Sequence, residues 1–518
     1  MNSVLKRYKK KDVLITKVLF GLILVIIFTQ IINAIISPFF NDPNKIITIG
    51  SYSNFTQYNP IYFNKDQASR DLSELEYKKL IKYNPETKGF EADLCTFIIE
   101  NESKTIKLRL QPNQFWHNDE AISNKDIIYT LQELYLSPEY KNPLIKQNFQ
   151  KTEIYENENQ EIVFEIPQAN SFFIANLEIP IFAQTDLENQ DINQLNFEDL
   201  NGNNNYKIES ETQEDSQSIF KLKKQKKEVQ NRQINYHAIF NKDHAIKQQS
   251  NFDDLVGLQE GEIAINPNKF IKSVSLPRYQ AVFFNTNNQF LRNINIRSAL
   301  NMAANKKDLV PKLKDQTIIA NPFFQFDNIK NIPDIKINII QNLLIEAGLK
   351  LQNNQFYYNN QAIQLTLTYP NYQVNPSKNK TNQIIIEHLI ENFKKIGIKL
   401  IPQQYDLDIF QNLLLKKEYD LILYGQDLGN NFDAFSFWHS SQAKPNKLNL
   451  SNLKDPLIDN LLINLRKSEQ NLQGDLIQSL NKKLKKIVPA IFLHTEKNKI
   501  LIDKRVKNRK IISNYTNL

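Results

Sequence analysis

Strand-like segments alternate with helical ones through the second half of the sequence, which predicts an α/β chain with an open, largely parallel sheet and helices on its faces. Two further observations shape that expectation. At 518 residues the chain exceeds the size at which a single core keeps growing, so two or more lobes are expected. An uncharged run from Val18 to Asn41 predicts one membrane-crossing helix ahead of them.

The N-terminal expectation rests on length and charge. A helix of roughly 20 apolar residues spans the hydrocarbon layer. Lys6, Arg7, Lys9, Lys10, Lys11 and Lys17 stand before the run against Asp12 alone, which holds residues 1–17 in the cytoplasm as a basic tail and exports the rest. The apolar core, 18–41, is longer than a signal-peptide core, and Ala34-Ile35-Ile36-Ser37 is a poor cleavage site, so an uncleaved anchor is expected over a removed leader. No cysteine follows the run to carry a lipid; the single one is Cys95, so no disulfide forms within the chain.

Of the net charge of +8, the tail supplies +5, and the remainder leaves no basic face that would argue for nucleic acid. The chain has only 11 glycines and is heavy in Asn, Lys and Ile. An AT-rich coding sequence accounts for that bias. Its structural consequence is that turns needing positive φ must use Asn or Asp.

In chain order, Ile46 to Gly50 reads as a strand followed by a polar, aromatic loop, Ser51 to Pro60, and a helix is expected over Ser69 to Lys82. Lys104 to Gln111 and Ile162 to Ile166 alternate as strands. Between them, Gln111 to Gln132 pairs a buried-aromatic turn, Phe115-Trp116-His117-Asn118-Asp119, with a helix start. Asn-Asp tolerates a left-handed backbone, Ser123 and Asp126 have the spacing of a capping box, and Ile127, Ile128, Leu131 and Leu134 share a face. Asn189 to Asn205 reads as a surface connection, and Tyr206 to Ile208 with Ile219 to Leu222 as a hairpin, Lys223 to Lys227 being its solvated end. Tyr279 to Asn285 is a strand and Ile296 to Leu309 is helical. Helices over Ile339 to Ala347 and Asn382 to Lys395 stop at Gly348 and Gly397. Strands at Leu365 to Tyr369, Ile398 to Ile401 and Tyr419 to Gly425, with a helix at Asp408 to Lys417, complete the alternation.

Ligands of open α/β sheets bind beyond the carboxyl ends of the strands. Three such ends are visible: the loop after Gly50, the segment Asn285 to Asn288 after Phe284, and the loop Gln426 to Asp433 after Gly425. Their aromatic, amide and carboxylate groups suit a peptide, whose backbone needs amide partners and whose amino terminus needs a carboxylate.

Several segments resemble, in order, motifs of the family 5 extracellular solute-binding proteins, the peptide- and nickel-binding receptors of ATP-driven importers. Trp116-His117-Asn118-Asp119 through Ile127 is similar to the family's WHDG-x-x-x-T-A-x-D-V. The segment from Tyr279 to Val310, with Arg297, Ala299, Leu300 and Ala303 on matching places, resembles its hinge strand and following helix. Gly397 to Gln442 resembles its GI-x-V, YD-x-x-L-x-G and DP-x-x-F-W-H-S pieces, and Leu457 to Leu462 and Val488 to Leu493 its C-terminal ones. Departures include Asn118-Asp119 without the following Gly, Gly202-Asn203-Asn204-Asn205-Tyr206 for Gly-x-Gly-Pro-Tyr, and Ala434 where Pro often follows Asp433.

The resemblance implies a bilobal type 2 periplasmic-binding-protein fold with an extra N-terminal subdomain, 63–177. Lobe I would comprise 44–62, 178–278 and 490–518, and lobe II 279–489, with two crossings as the hinge. It further implies capture of a peptide or other small solute between the lobes and docking on an ABC permease and its ATPase, by a cofactor-free, monomeric chain at the cell membrane. On this reading Asp427 or Asp433 pairs with a ligand amine, Tyr58 and Trp438 line side-chain pockets, Asn285 bonds ligand backbone, and Asn59 and His439 stand beside them. Trp116 and His117 are expected to pack the subdomain, and Arg297 to serve helix or hinge structure.

Enzyme chemistry finds no purchase. The six histidines (His117, His237, His244, His388, His439 and His494) form no His-Glu-x-x-His, and there is neither a Gly-x-Ser-x-Gly elbow nor a phosphate-binding loop. The alternative is a degenerate member of the same fold acting as a surface sensor or scaffold without transport, favoured if the loops at Tyr58, Asp427 and Asp433 do not face one cleft.

Overall fold

The computed structural model describes residues 46–504 apart from 85–86, 88, 142–144, 147–148, 150, 226–232, 259–261, 276–277, 314–315, 319–335, 373–375, 430–432 and 470–471. The expected membrane span 18–41 lies outside them; among the described residues no helix is long and apolar enough to cross a membrane.

Twelve strands among the described residues form one continuous sheet, numbered here along the chain: β1 Ile47–Tyr52, β2 Tyr206–Gln213, β3 Gln217–Lys224, β4 Gln233–Ile239, β5 Asp254–Val256, β6 Lys269–Ser275, β7 Arg278–Phe284, β8 Gln316–Ile318, β9 Gln364–Asn371, β10 Lys399–Asp406, β11 Leu421–Asp427 and β12 Ala490–Asp503. Their order is β10-β9-β11-β7-β12-β5-β1-β4-β3-β2, with β6 and β8 also on β12. The sheet is mixed, which corrects the expectation of a largely parallel one. β1 runs parallel to β4 and β5, and β9 to β10 and β11, but β7 and β12 are antiparallel to their neighbours. The reason is topological: β7 and β12 carry the chain between the lobes in opposite directions, so each meets its neighbours head to tail.

Lobe II packs helices on both faces of its half of the sheet. Along β7 and β11 successive residues alternate between two buried clusters, Val282, Phe284, Leu421 and Leu423 on one face and Ala281, Phe283 and Ile422 on the other. A strand covered on both faces reads as an unbroken apolar run. The first cluster is closed by helices α3 (Ile294–Ala303), α4 (Ile337–Glu346) and α5 (Pro376–Lys395), the second by α6 (Leu407–Lys416), α7 (Pro456–Lys467) and α8 (Gln473–Ile487). Lobe I has its own core about Ile47, Ile49, Phe220, Leu222, Ile234 and Tyr236, against helix α1 (Gln67–Glu76). The subdomain is a four-stranded antiparallel sheet (Cys95–Glu100, Thr105–Leu110, Ile162–Glu165 and Glu153–Glu156) covered by helix α2 (Asn124–Tyr129) and the π-helical turn Thr130–Tyr135.

Local signals largely hold. Ser123 N and Oγ both donate to Asp126 Oδ2 at 2.9 Å, and Asp119 has φ 66°. Gly348 and Gly397 end their helices at φ 89° and 86°. Asn replaces Gly in turns as expected: Asn353-Asn354 and Asn359-Asn360 have positive φ at both positions, the geometry of two-residue hairpins. Some readings differ. The helix expected to Lys82 ends at Glu76, whose carbonyl accepts from Asn203 N and Asn204 N, and Ile81–Asn84 is a strand. The helical stretch after Ile296 breaks at Asn305, φ 43°. β11 continues to Asp427, so Gln426 and Asp427 belong to the strand. Phe115, expected to be buried with Trp116, is 50% exposed.

Gly257 shows where glycine is indispensable. It ends β5 at φ 98°, and a Cβ there would lie 2.2 Å from Tyr52 O at the end of β1. Gly474, in the first turn of α8, has nothing within 4 Å. Gly257→Ala is therefore expected to cost about 2 kcal/mol or more. Gly474→Ala is expected to be neutral or to stabilise by about 0.5–1 kcal/mol. Urea unfolding of both variants checks the contrast.

Candidate functional site

The lobes meet along two crossings. The chain passes from β6 to β7 near Arg278, and returns in β12, whose residues 490–494 pair with β7 while 497–503 pair with β6 and 500–502 with β5. The lobe boundary expected at 489/490 thus falls inside a single strand, near Thr495. There Thr495 Oγ1 donates to Arg278 O at 2.7 Å. A bulge between Gln280 and Ala281 bends the pairing, and His494 Nε2 donates to Gln280 Oε1 at 2.7 Å, whose amide in turn donates to Asn382 Oδ1 at 2.7 Å. Bulges kink a strand and increase its twist, which suits the point where one sheet becomes two.

One of the three expected strand ends departs from the other two: β1 and β11 both end toward the hinge, whereas β7 ends away from it. Arg278 lies opposite Asp427 and Phe284 opposite Leu421, so β7 leaves the hinge while β11 arrives at it. Asp427 is exposed at the hinge end, with Oδ1 accepting from Gly429 N at 2.9 Å. Asn285 sits at the far end, buried, its amide donating to Tyr419 O at 2.8 Å and its Oδ1 accepting from Asn452 at 2.9 Å. The antiparallel entry of β7 separates these two residues by the length of a strand.

The other expected site residues have internal partners too. Tyr58 is 2% exposed and edge-on to Phe220 in the core of lobe I. Asn59 caps the following turn through Ile61 N and donates to Ile192 O. Trp438 is 1% exposed between Phe283 and Phe492. Asp433 accepts from Arg466 Nη2 at 2.6 Å, and that guanidinium lies 3.7 Å over the Phe435 ring, which stacks on His439 at 4.1 Å. This stack ties the loop after β11 to α7. The subdomain grips the same helix: Ser171 Oγ donates to Leu465 O at 3.2 Å and accepts from Gln473 Nε2 at 3.0 Å, while Phe172 joins the second apolar cluster of lobe II. Trp116 and His117 pack the subdomain as expected, His117 Nε2 donating to Asn204 O at 2.9 Å. Arg297 donates to the carbonyls of Ile487, Val488, Leu291 and Arg292, tying α3 to the end of α8.

Sequence reasoning missed a cluster of ionisable groups on α1. Asp71 Oδ2 accepts from Tyr236 hydroxyl at 2.6 Å, and burial pushes its carboxyl up to about 7. Burial likewise lifts Glu76 to about 8, with Oε1 accepting from Ile208 N at 3.2 Å. The signal was present in the sequence: Ala68, Leu72 and Leu75 mark a buried face, and acids flank it on both sides. Among the described residues no group of three or more His, Cys, Asp or Glu is placed to hold a metal ion.

Residues 96–449 match the family model described as bacterial extracellular solute-binding proteins, family 5 Middle. No curated protein matches the chain. Among solved structures, NikZ from Campylobacter jejuni in complex with Ni(L-His) is 20% identical, at a TM-score of 0.63 over 89% of this chain and 94% of that one. The oligopeptide-binding protein AppA from Bacillus subtilis in complex with a nonapeptide is 18% identical, at 0.61 over 89% and 95%. HbpA2 from Haemophilus parasuis is 17% identical, at 0.72 over 89% and 96%. These likenesses show the solute-binding fold.

The buried carboxyls make a pH prediction. Both pKa values are raised on folding, so their stabilising contribution is full below about 4 and is lost as pH rises through about 7 to 8. Wild type is expected to lose thermal stability relative to Glu76→Gln between pH 5 and pH 8; a constant difference between the two melting curves would contradict the assignment.

Proposed function

Because the chain belongs to the family 5 bacterial extracellular solute-binding proteins, receptors of ABC importers that take peptides or nickel, we propose that it captures peptides or similar oligomeric solutes between its lobes and delivers them to a membrane permease. The observation that carries this reading is the hinge. Two lobes share one strand and one further crossing, the geometry in which a ligand seated between them is enclosed by a rotation about a few backbone bonds. Asp427, exposed at the hinge end of β11, supplies a carboxylate for a ligand amine. The AppA likeness, solved with a nonapeptide, supports a peptide as the solute.

The location is part of the same proposal. The basic tail 1–17 and the uncharged run 18–41 hold the chain on the membrane as a single-pass anchor, with residues from about 42 onward outside the cytoplasm. Such a receptor works as a monomer beside its permease and ATPase.

The test is a thermal shift of the full chain with a tri- to pentapeptide mixture, since ligand binding to the folded state raises the melting point with concentration. Wild type is expected to shift. Asp427→Asn should lose most of that shift while its ligand-free melt stays put. Asp433→Asn should instead lower the ligand-free melt, by about 1–3 kcal/mol of stability, because Arg466 is left without its partner. A full shift in Asp427→Asn together with none in Asp433→Asn would move the amine site to Asp433.

A further inference from the structure

Once the N-terminal tail is set aside, the positive charge of the chain is not spread evenly over it. Residues 504–510 read Lys-Arg-Val-Lys-Asn-Arg-Lys and carry +5 with no acid. Of the net +8, the runs 1–17 and 504–510 thus supply +5 each, and everything between them sums to −2. A dense basic run of this kind suits a polyanion. The point at which the chain enters it says which.

β12 ends at Asp503, and the exposed Lys504 follows, its N donating to Asn268 O at 2.8 Å. Ile502 lies opposite Asp254 on β5, and Asp254 lies opposite Ile49 on β1. β12 therefore finishes at the end of the lobe I sheet where β1 begins, the end farthest from the hinge, with only β5 between them. Two strand spacings are about 10 Å. Residues 42–46 link β1 to the uncharged run 18–41 and reach at most about 20 Å. The chain thus leaves the expected membrane span and enters the basic run at neighbouring points.

The described side chains at that end fit the same surroundings. Ile47 is in register with Ile234, Leu222 and Ile208, so Lys207, Lys223 and Lys224 stand beyond them at the edge, the first two exposed and the third half-buried. The acids there are already engaged: Asp253 Oδ2 accepts from Thr48 N at 2.9 Å, Asp503 is buried, and Glu209 lies 3.6 Å from Lys223. Two apolar side chains project beside the lysines. Ile46, just before β1, is exposed, and Ile265 is 102% exposed, more than any other large apolar side chain among the described residues. Its neighbours fix Ile265 at this end. Ala264 N donates to Gln249 Oε1 at 2.7 Å, ahead of β5, and Lys269 N donates to Asn266 O at 3.1 Å in the turn that starts β6. Apolar side chains set among cations are unfavourable in water and favourable at a bilayer surface, where they enter the headgroup region while the cations meet anionic lipid.

We propose that this end of lobe I is a membrane-contact surface: Ile46 and Ile265 enter the headgroup layer, and Lys207, Lys224 and the run 504–510 bind anionic phospholipid. This rests on the anchor reading above and adds a second attachment, which holds lobe I against the bilayer with the hinge on the far side.

The test uses the full chain in lipid nanodiscs, either of phosphatidylcholine alone or with about 30% phosphatidylglycerol. Trp116 and Trp438 are both buried, so Ile265→Trp adds an indole that reports on its own loop. In anionic discs its emission should shift to the blue and most of its quenching by acrylamide should be lost. Raising salt to about 0.5 M should reverse both, and phosphatidylcholine alone should produce neither. Combining Lys504→Gln, Arg505→Gln, Lys507→Gln, Arg509→Gln and Lys510→Gln in the same background should abolish the shift and leave the melt unchanged. A shift that persists in that combined variant, or equal emission and quenching in the two lipids, overturns the surface and leaves the receptor and anchor readings standing. If the chain enters neither kind of disc, the anchor reading falls, and sedimentation with vesicles of the anionic mixture decides. Binding that both salt and the combined variant abolish keeps the surface; any other result refutes it.

Discussion

The pairing of β12 is the constraint on which the rest of the molecule depends. One fourteen-residue strand, Ala490–Asp503, bonds to β7 and β8 with its first half and to β6 and β5 with its second, so both lobes are built on the same backbone. Its apolar residues Ile491, Phe492 and Leu493 feed both faces of lobe II, while Ile500 and Leu501 are buried in lobe I. Between them Thr495 and His494 hold Arg278 O and Gln280 through hydrogen bonds, fixing where the second crossing starts. A sheet continuous through its hinge can bend there without losing either core.

The direction imposed by this arrangement explains the site. β7 must leave the hinge to return through lobe II, which makes it antiparallel to β11 and sends Asn285 to the distal end, where it staples Tyr419 and Asn452. β11 runs the other way and presents Asp427 at the junction. The loop beyond is not loose: Arg466 holds Asp433, lies on Phe435 and thereby positions His439, and α7, which carries Arg466, is held at Leu465 by Ser171 of the subdomain. Subdomain, lobe II helix and the loop after β11 are mechanically continuous.

Much of this was legible in the sequence, and the division has physical causes. Periodicity and local stops placed most strands and helices, because a capping box such as Ser123 with Asp126, or a left-handed Gly348 or Gly397, is decided within a few residues. Asn-for-Gly turns followed from composition for the same reason. Strand direction was not legible, since an apolar run buried on both faces is the same read either way. Nor were the fates of single side chains: an aromatic such as Tyr58 or Trp438 fills a core or lines a pocket with equal chemistry, and the partner that claims Asp433 lies 33 residues away. The middle of β12, Thr495 to Lys499, is polar enough to read as a turn and is a strand only because two lobes need it.

The central claim is that a solute is held between two lobes that close about the hinge at Arg278 and Thr495. Amide hydrogen exchange on the full chain, with and without a saturating peptide mixture, tests it most directly, because closure slows exchange wherever the two walls meet. The account predicts slowing on both sides at once, in 51–66 and 424–429, together with the hinge segments 278–280 and 494–495. Slowing confined to one lobe, with the hinge unchanged, would contradict it.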